Sequence, residues 1–267
     1  MPVARTRIWW GDFPTTAFSD IDPDETIAVL PIAAVEQHGP HLPVSTDTSI
    51  MHGMLETAIP LIPDDMDVRI LPVQSVGKSN EHIRAPGTLS LSPLAAIQAW
   101  AELGVAVNAA GVRKIILINS HGGNEEIMGI VTRELRVACE MLAVKTSWMR
   151  FGVPDNMYSE REMRYGIHGG DVETSLMLHF RPDLVDMSQA EDFRSNVEDA
   201  EKEFDLLRQT GTHAFAWIAG DLNVHGVVGD ASAATPEKGR LTAEHQAAGF
   251  IRLLKDVQKA RLADLLQ

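Results

Sequence analysis

Thr26-Ile27-Ala28-Val29-Leu30-Pro31-Ile32-Ala33-Ala34 is a nearly unbroken apolar run, rich in β-branched residues and free of polar alternation. A strand with one wet face alternates and a strand buried on both faces does not, so this run predicts a central strand of a parallel sheet. Residues 68–73 and 114–119 have the same character, and 143–148 supply a fourth strand. Residues 48–59, 93–110, 125–141 and 171–180 carry apolar side chains at helical spacing. Short apolar strands alternating with such helices predict right-handed crossovers. The expected fold is α/β, a three-layer αβα sandwich with a mainly parallel central sheet. No Pro/Gly/Ser-rich linker divides the chain, so one domain is expected over 1–267. Two further helices are predicted: an acidic, sparsely apolar one over 190–208, and one over 236–266 that Gly239 and Gly249 are expected to bend or split. Disorder is expected, at most, in the first few residues.

The composition, 45% hydrophobic and 22% charged, is that of a globular chain. A formal charge of −14, from 37 acidic and 23 basic residues, repels a nucleic-acid backbone or an anionic membrane at long range. No stretch reaches the roughly 18 apolar residues of a membrane span, and no secretory leader is recognisable, so a cytoplasmic location is expected. The single cysteine, Cys139, excludes an intrachain disulfide and reads as a small packed side chain on its helix.

The polar residues that stand out follow the ends of the predicted strands. Glu36, His38 and Asp47 come after the first, Ser120-His121-Gly122-Gly123-Asn124 after the third, and Gly166-Ile167-His168-Gly169-Gly170-Asp171-Val172-Glu173 leads into a helix. In open α/β sheets the loops leaving the carboxyl ends of neighbouring strands meet in one crevice. Glu36 and His38, two apart, project to one side if the chain stays extended there. Gly39 and Pro40 then turn it, and Asp47 is expected just before a helix. Three converging carboxylates repel one another unless cations intervene. Glu36, His38, Asp47, His121 and Glu173 exceed the needs of one catalytic zinc and suit two ions about 3.5 Å apart, with Asp47 as the shared carboxylate. Such a pair activates a water and polarises a carbonyl, which predicts amide hydrolysis, with His168 delivering a proton to the departing nitrogen. Zn, Mn and Fe all suit mixed imidazole and carboxylate ligation. His82, Trp148 and Trp217 are the candidates for lining a substrate pocket, the tryptophans as flat walls. His41 is read as a neighbour of the site, and His52 and His179 as packing or interface residues.

Taken together, Glu36-x-His38-Gly39-x-His41-Leu42-Pro43 with Asp47, Glu81-His82 before Pro86-Gly87-Thr88, Asn119-Ser120-His121-Gly122-Gly123-Asn124, His168-Gly169-Gly170-x-x-Glu173-Thr174-Ser175, and Gly226-Val227-x-Gly229-Asp230 with Ala234-Thr235-x-Glu237-Lys238-Gly239 resemble the creatininase, or creatinine amidohydrolase, family. The resemblance implies a three-layer αβα fold, two divalent ions, hydrolysis of a non-peptide C–N amide bond and, usually, a homohexamer. It implies metal-binding roles for Glu36, His38, Asp47, His121 and Glu173 and proton transfer by His168. Creatininase proper carries Tyr-Glu directly after the histidine at the place of His121, the glutamate being a ligand. Gly122 and Gly123 stand there in this chain, so the broader family is the better match, with Glu173 as the replacement ligand. A small cyclic amide or a formamide is the expected substrate. A peptidase trimming a cofactor precursor, an esterase or lactonase, and a metal-stabilised ligand-binding module are the alternatives.

Overall fold

The computed structural model describes residues 7–265. Its main sheet contains β1 (Ile27–Ile32), β2 (Val68–Ile70), β3 (Lys114–Asn119) and β4 (Leu142–Ser147), all parallel, in the order β2-β1-β3-β4. The helices are α1 (Thr46–Ala58), α2 (Pro93–Ala109), α3 (Glu125–Cys139), α4 (Glu160–Tyr165), α5 (Asp171–Phe180), α6 (Val197–Ala200), α7 (Ala219–Leu222), α8 (Pro236–Lys259) and α9 (Leu262–Leu265). A short antiparallel pair, β5 (Asp192–Phe193) and β6 (Gly229–Asp230), lies apart from the sheet.

The two-residue periodicity of a strand divides the core into two layers. Ile27 and Val29 of β1 and Ile116 and Ile118 of β3 pack with Met51, Met54, Leu176, Phe250 and Leu254, from α1, α5 and α8. Ala28, Leu30 and Ile32, with Ile115 and Leu117, pack with Trp100, Val107, Val131 and Leu135, from α2 and α3. Every residue of β1 and β3 is buried, as the unbroken apolar runs require. This is the expected three-layer αβα arrangement.

Two expectations about the later helices need correction. Residues 190–208 do not form one helix: they contain β5, α6 and turns. A segment without an apolar stripe gains little from helix packing. Its charges instead pair with α4, where Arg161 reaches Asp192 and Glu198 and Arg164 reaches Glu201. Conversely, Gly239 and Gly249 neither split nor end α8, which runs unbroken for 24 residues. They allow close approach: a Cβ at Gly239 would overlap the Ser175 carbonyl of α5, and one at Gly249 would lie 2.7 Å from Phe151 Cβ. Thr235 accepts the Lys238 N–H at 3.2 Å and Pro236 opens the helix, a start with its donors satisfied. The first residues, for which disorder is expected, and Leu266 lie outside the described residues. No helix among the described residues is long and apolar enough to cross a membrane.

Candidate metal centre

Loops at the carboxyl edge of the sheet converge with the segment entering α5. After β1 the chain folds back on itself, the Glu36 N–H donating to the Val44 carbonyl at 2.8 Å. The turn depends on Gly39, whose φ is 72° and whose N–H donates to Gln37 Oε1 at 3.0 Å. Asp47 therefore sits inside the first turn of α1, one residue beyond Thr46, rather than just before the helix.

Glu36, His38, Asp47 and His121 are each at most 6% exposed and face one another. His38 Nε2 lies 3.6 Å from Asp47 Oδ1 and 3.7 Å from Glu173 Oε2. His121 Nδ1 lies 3.1 Å from Glu36 Oε1 and 3.5 Å from Asp47 Oδ2. The two oxygens of Asp47 thus face two different imidazoles. His168 Nδ1 is 3.5 Å and His82 Nε2 is 3.6 Å from Glu36 Oε1.

The imidazoles are oriented by main-chain carbonyls. A carbonyl can only accept, so His38 donates Nδ1–H to the Glu36 carbonyl at 3.0 Å and His121 donates Nε2–H to the Lys78 carbonyl at 3.1 Å. This leaves His38 Nε2 and His121 Nδ1 as the nitrogens aimed at the centre. His168 likewise donates Nε2–H to the Gln37 carbonyl at 2.7 Å, turning Nδ1 inward. Gln37 donates through its side-chain amide to His82 Nδ1 at 2.8 Å and to the Gly226 carbonyl at 2.5 Å. Burial opposes a charge on His38, but Asp47, Glu173 and Glu36 outweigh it and raise the pKa to about 9. Glu36 in turn is held well below the carboxylate range by His121, His168 and His82 in spite of its burial. Burial and then the neighbouring imidazoles His38 and His82 push His168 well below its usual value, so it is neutral.

Whether metal ions suit these residues is decided by the atoms left without partners. Buried Glu36 Oε1, His38 Nε2 and Asp47 Oδ2 have no hydrogen-bond partner, although orphaned buried polar atoms are costly. His38 with Asp47 and Glu173, and Glu36 with Glu81 and His121, each bring three ligand atoms within 4.8 Å of one another. Divalent cations would satisfy the orphaned atoms and compensate the carboxylates together. Within this set Glu173 is the most accessible, at 24% side-chain exposure, and its Oε2 also accepts the Gly169 N–H at 2.6 Å.

A cavity of about 580 Å³ opens onto the centre, lined by His82, Gly122, Gly123, His168, Phe215 and Trp217 among others. Trp217 is in its wall as expected, with Nε1–H donating to the Gln209 carbonyl at 2.9 Å. Trp148 is not: it is 2% exposed, packs edge-on against Phe250 and points its indole N–H at the Met51 sulfur. Its place at the end of β4, on the layer of α1 and α8, aims it into the core. His41 is buried behind the site, donating Nε2–H to the Gly169 carbonyl at 3.0 Å and stacking on Phe193. Three residues of the site are assigned no role by the sequence reading. Glu81 Oε1 lies 3.3 Å from His121 Nε2, Ser79 donates to Glu36 Oε2, and Gln37 orients His82. Only Glu81 had a signal, its place beside His82. A Cβ at Gly123 would overlap Glu81 Oε1, so the Glu81 carboxylate occupies the space where a side chain at 123 would begin.

A family model described as creatininase, creatinine amidohydrolase, matches residues 12–254. The mycofactocin precursor peptide peptidase of Mycolicibacterium smegmatis is 30% identical over 221 residues, 82% of this chain and 80% of that protein. The creatinine amidohydrolase of Pseudomonas putida is 30% identical over 183 residues, 63% of this chain and 69% of that protein. A crystal structure of creatinine amidohydrolase (creatininase) shares the fold, with a TM-score of 0.75 at 22% identity over 96% of this chain and all of that one. With the family's motifs gathered round one buried set of imidazoles and carboxylates, the chain belongs to the creatininase family of metal-dependent amidohydrolases.

Proposed function

We propose that this chain hydrolyses an amide C–N bond at a centre of two divalent ions, held by Glu36, His38, Asp47, His121 and Glu173 with Asp47 shared. The observation that carries the reading is the division of Asp47, whose oxygens face His38 at 3.6 Å and His121 at 3.5 Å. Zn or Mn is favoured, since related solved structures are titled Creatininase Mn and Zn-Zn type. When bound, such ions supply a water of lowered pKa and polarise the scissile carbonyl. His168, neutral and with Nδ1 turned inward, accepts a proton from the attacking water and passes it to the departing nitrogen. Its Nε2–H, fixed on the Gln37 carbonyl, keeps the ring in that tautomer. Trp217 and Phe215 give the substrate an apolar wall.

Of the substrate classes, the end of a short peptide is better supported than a cyclic amide or formamide. Gly122 in the cavity wall leaves room for a chain, since an added Cβ there would meet nothing within 4 Å. The relatives called mycofactocin precursor peptide peptidase also match more of the chain than the creatinine amidohydrolase does. The compact amide reading rests on the same catalytic set. We place the enzyme in the cytoplasm, as one domain and as a homo-oligomer, a hexamer by family resemblance.

The test combines metal analysis with a panel of short peptides, cyclic amides, ring-opened formamides and matched esters. About two ions per chain and amide cleavage are expected. His168→Ala should lower turnover by about 10²–10⁴-fold with the ions retained. Retained turnover would end the proton-transfer role, loss of an ion would make His168 a ligand, and faster ester than amide cleavage would favour the esterase. Ion uptake with no cleavage would favour a binding module.

A further inference from the structure

Of the two buried carboxylates outside the ligand set among the described residues, Asp171 pairs with Lys238 and Glu162 does not pair with any cation. Glu162, on α4, is 3% exposed, and none of the cations among the described residues pairs with it. Burial, with the charge of Asp171 beside it, pushes the Glu162 pKa upward, partly offset by backbone N–H groups, chiefly that of Asp230. A buried, unpaired carboxylate is a poor stabilising device, and an amide or an apolar side chain would cost less.

Its surroundings are shaped to admit it. Oε2 accepts the Asp230 N–H of β6 at 2.8 Å, while Oε1 is buried without a hydrogen-bond partner near the opening N–H groups of α5 at Asp171 and Val172, where a negative charge is favoured. Gly166 and Gly170 have negative φ, which any residue can adopt, yet a Cβ at either would overlap the Glu162 carboxylate. A Cβ at Gly229 would lie 2.9 Å from Oε2. Three glycines therefore surround this one group. Between the first two runs the segment that carries His168, and Glu173 follows three residues after Gly170. The same segment is held from the other side, His168 exchanging backbone hydrogen bonds with Val228 at 3.3 and 2.8 Å.

We infer that Glu162 is a positioning residue, clamping residues 166–173 against β6 so that His168 and Glu173 meet the ligands supplied by the β1 and β3 loops. The inference rests on the proposed metal centre. In Glu162→Gln the shape stays, but an NH₂ group or a weaker acceptor faces the same N–H donors. The pull on the segment slackens and Glu173 shifts, while Glu36 and His121, anchored on other loops, stay in place.

The experiment is a titration of metal-free protein with Mn²⁺ or Zn²⁺ against a competing chelator, beside thermal unfolding. Glu162→Gln should weaken one of the two binding steps by about 10–100-fold and leave the other within about twofold. In a Glu173→Gln background the same change should add almost nothing, because both act on one ligand. Unchanged affinities, equal weakening of both steps, or full additivity with Glu173→Gln would overturn the role, whatever happens to Tm. Should Glu162→Gln fail to fold, Gly170→Ala presses on the carboxylate from the opposite side and is held to the same outcomes. No ion uptake by the wild type would overturn the metal reading itself and this role with it. Uptake by the wild type with normal uptake by the variants overturns the role of Glu162 alone.

Discussion

Ser79→Ala separates a fully buried hydroxyl from the carboxylate it holds. Ser79 and Glu36 are both 0% exposed, and Ser79 Oγ donates to Glu36 Oε2, leaving Oε1 for the centre. Removing the hydroxyl leaves a buried carboxylate oxygen without its donor, which costs about 1–3 kcal/mol. It also frees the carboxylate to turn, and loss of a group that orients a ligand weakens metal binding by about 10–100-fold, or about 1.4–2.7 kcal/mol. The two effects can be read separately. Urea unfolding of metal-free protein should show only the first. Unfolding at a fixed, saturating metal concentration should show both, because each tenfold loss of affinity removes about 1.4 kcal/mol of stabilisation by the bound ion. Chelator competition gives the affinity independently. A variant with unchanged affinity and an equal loss of stability with and without metal would refute the orienting role and leave Ser79 as a packing residue.

The two tryptophans should part in their effects. Trp148→Ala should cost about 3–5 kcal/mol in urea unfolding and leave substrate preference alone, whereas Trp217→Ala should raise KM with little change in stability. Stripping the ions with a chelator should abolish hydrolysis and lower Tm, both restored by Zn²⁺ or Mn²⁺; hydrolysis that survives complete removal would refute a metal-dependent step. Tyr158, buried and hydrogen-bonded to Thr242, has its pKa raised to about 12, chiefly by burial. The folded state then holds the phenolic proton more tightly than the unfolded chain, so this contribution is complete below pH ~10 and is lost as pH rises through about 12. Urea midpoints between pH 9 and 12 should fall more steeply for the wild type than for Tyr158→Phe, and parallel curves would refute the assignment.

The fold was legible in β1 because burial on both faces leaves a run that no amphipathic element produces. The α5 boundaries agree with the apolar spacing, and the gathering of Glu36, His38, Asp47, His121 and Glu173 was legible because polar residues at the carboxyl ends of buried strands have few structural uses. Residues 190–208 misled because acidic composition is neutral between a solvated helix and a set of turns pinned by Arg161 and Arg164, which lie far away in sequence. Trp148 misled because the end of a strand says nothing of which face its next side chain takes. Gln37 and Ser79 carried no signal, since their importance lies in what they touch. Gly239 and Gly249 were read through backbone freedom, when their meaning was the width of the gap to Ser175 and Phe151.

Of the four imidazoles that face the centre, three are fixed by a main-chain carbonyl, His38 by Glu36, His121 by Lys78 and His168 by Gln37, while His82 is held by the Gln37 side chain. A carbonyl cannot be altered by substituting its own side chain, and its position follows the path of the loop. The tautomers that aim His38 Nε2, His121 Nδ1 and His168 Nδ1 inward are therefore properties of the loops leaving β1 and β2 rather than of the cavity wall. Residues 209–218, which supply Trp217 and Phe215, provide none of these three acceptors. The residues of that segment and Gly122 can consequently change while the inward-facing nitrogens of His38, His121 and His168 keep their direction. By the same reasoning, a change at Gln37 that shifts its carbonyl should disturb His168 even though its side chain contacts His82 more closely.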